Sequence, residues 1–153
     1  MNNIGEMKVL VLWINPRDGI ISRVSTDLHD DNCFEQFIGV GQSSCVMECI
    51  GDGIYAMHDG NAITLDKEDQ HRFTFMQNDF INDIVVWQVS DQSKTMDIQI
   101  APEDAWMLLS NFDSREEGWG HYDEKEQLVY IETDTKTVYT FDKNGNRIPI
   151  YRG

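Results

Sequence analysis

The sequence predicts an α+β protein that is mainly antiparallel β-sheet, built from hairpins and meanders. Three observations lead there. Short apolar segments recur along most of the chain, separated by Gly, Asp and Asn breaks at the spacing of turn-linked strands. Residues 84–89, Ile-Val-Val-Trp-Gln-Val, form a run apolar enough for a strand buried on both faces. Only one segment, near 102–111, carries a clear helix start.

Taken in order, residues 8–14 are apolar and β-rich, and Asn15-Pro16-Arg17-Asp18-Gly19 separates them from a second run at 20–25, which reads as an opening hairpin. Ser25-Thr26-Asp27 resembles a capping start. Leu28, Phe34, Phe37 and Ile38 follow at loosely helical spacing, so a short helix is placed near 27–38. Strands are then expected at 45–50, 54–57 and 62–65, broken at Gly51-Asp52-Gly53 and at Asp59-Gly60-Asn61. Residues 72–76 alternate Phe73 and Phe75 with polar neighbours, 84–89 is the central strand, and a turn at 91–94 leads into 95–100.

The helix near 102–111 has Pro102 in its first turn, with Glu103 and Asp104 complementing the positive end of the helix dipole. Residues 113–126 hold 6 acids, 2 bases and two glycines, and read as the most loop-like stretch. A closing meander follows at 127–132, 136–141 and 147–151, with Asn144-Gly145 as the hairpin signal. Residues 139–147 are similar to one copy of the tyrosine-aspartate repeats of large bacterial toxin shells. That likeness covers nine residues once, whereas the shells assemble from many copies, so only its hairpin chemistry is used. Without an internal repeat or a linker, residues 1–153 read as a single acidic domain.

Charge is the leading functional signal. The chain carries 27 Asp and Glu against 12 Lys and Arg, a formal charge of −15. Residues 1–76 have 12 acids to 5 bases and residues 77–153 have 15 to 7, so the excess is spread over the chain and is not a tail. Such a surface repels nucleic acid and anionic lipid, whose binding needs clustered Lys and Arg. It steers cationic partners toward itself. Three cysteines, Cys33, Cys45 and Cys49, are too few and odd in number for a disulfide framework, and residues 9–14 are too short for a signal core or a membrane span. The expected setting is the cytoplasm, with no membrane association.

No P-loop, dinucleotide fingerprint, nucleophile elbow, zinc-protease motif or C-x-x-C pair is present, and no cofactor or metal is expected. Cys45 and Cys49 would lie roughly 13 Å apart along a strand, too far to share a metal or a disulfide. A Cys33-His58-Asp59 set would have the elements of a thiol nucleophile with its base and orienting acid, although such a trio arises readily in this composition. Trp119-Gly120-His121-Tyr122 sits among carboxylates, and aromatics ringed by acids suit a Lys- and Arg-rich partner. The same aromatics would equally pin a loop to the core. The candidate contact residues are Asp113, Glu116, Glu117, Trp119, His121, Tyr122, Asp123, Glu124 and Glu126.

The reading is therefore an acidic binding or inhibitor protein, not an enzyme, that docks on a basic protein. Its most concrete form is a bacterial immunity protein that neutralises a nuclease-type toxin. The rival is a carboxylate- or metal-dependent hydrolase centred on His58-Asp59 or on His121 and Asp123. A further alternative is a DNA mimic of the anti-restriction type, with carboxylates at phosphate-like spacing.

Overall fold

The computed structural model of the chain describes residues 8–112, 119–122, 128–131, 138–141 and 143–149. These residues are mostly antiparallel β-sheet with very little helix, so the α+β class holds only loosely. β1 (Lys8–Asn15) and β2 (Ile20–Asp27) form the expected opening hairpin, paired along their full length. Its turn is fixed by Asn15, whose side chain accepts from the Asp18 N–H and donates to the Asp18 carboxylate, and by Gly19 at φ 69°.

β3 (Cys45–Gly51) and β4 (Ile54–Asp59) form the next hairpin, and β5 (Arg72–Phe75) pairs with β6 (Asn78–Ile81). β7 (Ile84–Val89) is the expected central strand, bonded to β1 and β8 (Thr95–Met96) along one edge and to β4 along the other. The helix α1 (Pro102–Met107) leads into β9 (Leu109–Ser110), and β10 (Trp119–Tyr122), β11 (Leu128–Ile131), β12 (Val138–Phe141) and β13 (Arg147–Pro149) close the chain. The large sheet runs β13-β12-β11-β10-β2-β1-β7-β4-β3, with β8 beside β7, and a small sheet runs β6-β5-β9. One junction, β10 on β2, is parallel.

Alternation along β1, β4 and β7 sends neighbouring side chains to opposite faces of the large sheet. Leu12, Ile14, Ile54, Ala56, Ile84 and Val86 pack with Phe73, Phe75 and Phe80 of the small sheet and with Ala105, Trp106 and Leu109. Val9, Val11, Met57, Val85 and Trp87 face the other way and are covered by Leu28, Phe34, Phe37 and Ile38. The centre of the sheet is thus buried on both faces, which is why 84–87 is an unbroken apolar run.

Four local expectations are corrected. No α-helix forms over 27–38: the side chains of Asp27 and Asp30 accept from the N–H groups of His29 and Asn32, competing with helical bonding, and a single 3₁₀ turn remains at Glu35–Phe37. The helix near 102–111 stops at Met107. Leu109 and Ser110 pair with Phe75 and Thr74 instead, which buries Leu109. Residues 62–65 are a 3₁₀ turn at Ala62–Thr64 and not a strand, with the Thr64 hydroxyl donating to the Asn61 carbonyl. The strand expected over 95–100 ends at Met96 because Asp97 turns its carboxylate onto the Leu10 N–H and Ile98 donates to the Leu10 carbonyl.

At the start of β7 sits a buried carboxylate, Asp83, 4% exposed. Its Oδ2 accepts from the Trp13 indole at 3.1 Å, and its Oδ1 lies 3.5 Å from Arg17 Nε, close enough for an ion pair but without an aligned hydrogen bond. Burial pushes the Asp83 carboxyl up, against smaller lowering by Trp13 and Arg17. A folded value above the unfolded one means that this group's contribution is most favourable at acid pH. It declines as pH rises from the ordinary carboxylate range through the raised value. Asp83→Asn keeps an acceptor for Trp13 and removes the charge, so it is expected to match or exceed the parent in stability at neutral pH, the difference shrinking on acidification. Asp83→Ala orphans the indole and is expected to cost about 1–3 kcal/mol. Urea unfolding of the three proteins across pH checks this, and a strongly destabilised Asp83→Asn at neutral pH contradicts it.

Candidate functional site

The structure puts Trp119, His121 and Tyr122 of the sequence-derived site on a strand, although 113–126 reads as loop. On one edge of β10, Gly120 and His121 enter a parallel ladder with Ile20 and Ile21, the Gly120 N–H donating to the Gly19 carbonyl at 2.6 Å. On its other edge β10 pairs in register with β11, Trp119 opposite Ile131 and Tyr122 opposite Leu128. Gly120 is buried, and α1 lies beside both β2 and β10. Asp113, Glu116, Glu117, Asp123, Glu124 and Glu126 lie outside the described residues.

The thiol constellation does not assemble. On β4, His58 shares the face of Ile54 and Ala56, its ring set edge-on to Phe80 at 5.3 Å and its Nε2 3.3 Å from a Glu48 carboxylate oxygen, an ion-pair distance without hydrogen-bond geometry. Cys33 belongs to the segment that covers the opposite face of the sheet, where its carbonyl accepts from the Thr26 hydroxyl. Burial and the charge of Glu35 push the Cys33 thiol up, and the same two causes, joined by Asp59, raise Cys45. Raised thiols hold less thiolate, the reverse of what activates a nucleophile. All three cysteines are free, Cys49 being exposed.

A second arrangement, which no sequence motif marks, lies in the connection from β4 to β5. An open groove of about 620 Å³ is lined by Ile63, Leu65, Lys67, Gln70 and Arg72. Its floor is hydrogen-bonded into one piece: the Gln70 amide donates to the carbonyls of Ile63 and Leu65 at 3.0 and 2.8 Å. The Gln70 carbonyl in turn accepts from Arg72 Nε at 3.1 Å and Nη2 at 2.7 Å. His71 is clamped to Asn82 in both directions, its N–H donating to the Asn82 side chain and its carbonyl accepting the Asn82 N–H. Beside the groove, the 3₁₀ turn at Lys67–Asp69 gathers Asp66, Glu68 and Asp69, all exposed, with ligand oxygens within 4.8 Å of one another. Reading 62–65 as a strand hides this groove, because the 3₁₀ turn is what leaves Ile63 and Leu65 outside the core.

Comparison with protein families, with curated proteins and with solved structures finds no match to this chain. The fold itself defines a mainly antiparallel β-protein of strongly acidic composition. Among the described residues, no helix is long and apolar enough to cross a membrane.

Proposed function

We propose that this chain is a binding protein that docks on a cationic protein partner, most concretely a bacterial immunity protein that occludes the substrate cleft of a nuclease-type toxin. The observation that carries the reading is the charge, −15 over 153 residues and divided almost evenly between the two halves. A nuclease cleft is cationic because it must hold phosphates, so an acidic surface of this strength fits it and hastens encounter. The contact surface is assigned to Trp119, His121 and Tyr122 with Asp113, Glu116, Glu117, Asp123, Glu124 and Glu126. In this reading the protein acts in the reducing cytoplasm, where its cysteines stay free.

The test is capture of partners from the native lysate on the immobilised protein, followed by identification and release by salt. A basic protein released at high ionic strength, whose capture fails with Trp119→Ala at an expected cost of about 2 kcal/mol or more, supports the reading. Recovery of no basic partner contradicts it. A gene for a secreted nuclease beside this one is the cheapest independent support.

A further inference from the structure

Lys67 and Arg72 line the groove between β4 and β5, and neither is ion-paired among the described residues. Arg72 is also oriented. A guanidinium has five N–H donors, two of which are held by Gln70, leaving three on the outer side of the fork. Gln70 is in turn fixed by two backbone carbonyls, so the arginine is set in place before any ligand arrives. Next to these cations, Ile63 and Leu65 are 66% and 42% exposed, a large apolar area left in water by a tightly bonded turn. Positive donors beside exposed hydrocarbon are complementary to an anion that carries an apolar body.

We propose that this groove binds a monocarboxylate with an apolar body, its carboxylate held by Arg72 and Lys67 and its hydrocarbon laid on Ile63 and Leu65. Asp66, Glu68 and Asp69, which flank Lys67 in sequence, set three carboxylates against the two cations and so disfavour every further negative charge on the ligand. A phosphate dianion or a polyanion meets this repulsion two or more times over, whereas a single carboxylate meets it once and offsets it with short-range hydrogen bonds and apolar burial. This site is separate from the docking of a cationic protein and stands or falls without it.

Titration of the ¹⁵N-labelled chain with octanoate, followed by NMR, tests the proposal. Amide shifts are expected to centre on residues 63–72. Uncharged octanamide is expected to bind about tenfold more weakly, and Arg72→Gln and Lys67→Gln each to weaken octanoate about tenfold or more, on the order of one charge-assisted hydrogen bond. Octyl phosphate is expected to bind no better than octanoate. Neutralising the rim with Asp66→Asn, Glu68→Gln and Asp69→Asn together is expected to tighten octanoate binding, an effect that simple hydrophobic adsorption does not produce. The proposal is overturned if octanoate does not bind, if octanamide binds equally well, or if Arg72→Gln folds and binds octanoate unchanged.

Discussion

Replacing Trp87 with alanine is expected to cost about 4 kcal/mol of stability and to free the 28–38 segment from the sheet. Trp87 is 4% exposed at the middle of β7, a strand bonded on both edges. Its indole stacks on Phe34 with centroids 4.1 Å apart and planes 9° from parallel, and lies 6.0 Å from the Tyr55 ring. The segment that carries Phe34 has little regular structure to hold it: one 3₁₀ turn, the Phe37 ring against Trp13 at 5.5 Å, and the bonds from Thr26 and Gln36 to the Cys33 carbonyl. Packing of Phe34 on Trp87 is thus an apolar anchor of this cover beside the packing of Leu28, Phe37 and Ile38, and its loss combines a cavity with exposure of the second core cluster. Chemical denaturation gives the free energy, and hydrogen exchange of amides 28–38 reports the release. A loss under about 1 kcal/mol, or unchanged protection of that segment, contradicts the anchoring role of Trp87.

Gly53→Ala is expected to cost about 2–3 kcal/mol, the sum of left-handed backbone strain and one disturbed strand bond. Gly53 closes the β3–β4 hairpin at φ 71°, and a Cβ there would stand 2.6 Å from the Val89 carbonyl oxygen. That backbone cannot retreat easily, because the Val89 N–H donates to the Gly53 carbonyl at 2.7 Å and Val89 is already paired with Thr95. Gly39 provides the control. It has a similar φ of 79° but open space where a Cβ would stand, so Gly39→Ala carries only the conformational cost of about 1 kcal/mol. Thermal or urea unfolding of both variants should therefore separate them by about 1–2 kcal/mol, and equal losses would show that the contact with Val89 is irrelevant.

Where strands announce themselves by run length and flanking turns, the sequence reading and the structure agree: the opening hairpin, the hairpin at 45–57, the central strand 84–89 and the strands of the closing meander. They diverge where local chemistry competes with pattern. β6 goes unseen because the turn before it, Met76-Gln77, holds both residues at positive φ without the Gly or Asn that would signal it. Carboxylate side chains of Asp27, Asp30 and Asp97 capture backbone N–H groups and end elements that periodicity would extend. The parallel pairing that joins β10 to β2 depends on Ile20 and Ile21, far away in sequence, and no local signal near Trp119 encodes it. At the level of the site, acidity is legible from composition, whereas the Gln70–Arg72 arrangement is not, because it depends on a 3₁₀ turn and side-chain amide bonds that follow no motif.

If the negative charge of this chain serves association with a cationic protein, as proposed, it must show in the rate of encounter. The decisive quantity is the association rate constant of the captured partner as a function of ionic strength. Electrostatic steering predicts a rate of about 10⁸ M⁻¹s⁻¹ or more at low salt that falls steeply as salt rises, with the dissociation rate changing much less. An association rate near the unsteered range of about 10⁵–10⁶ M⁻¹s⁻¹ and flat with salt would contradict the proposal.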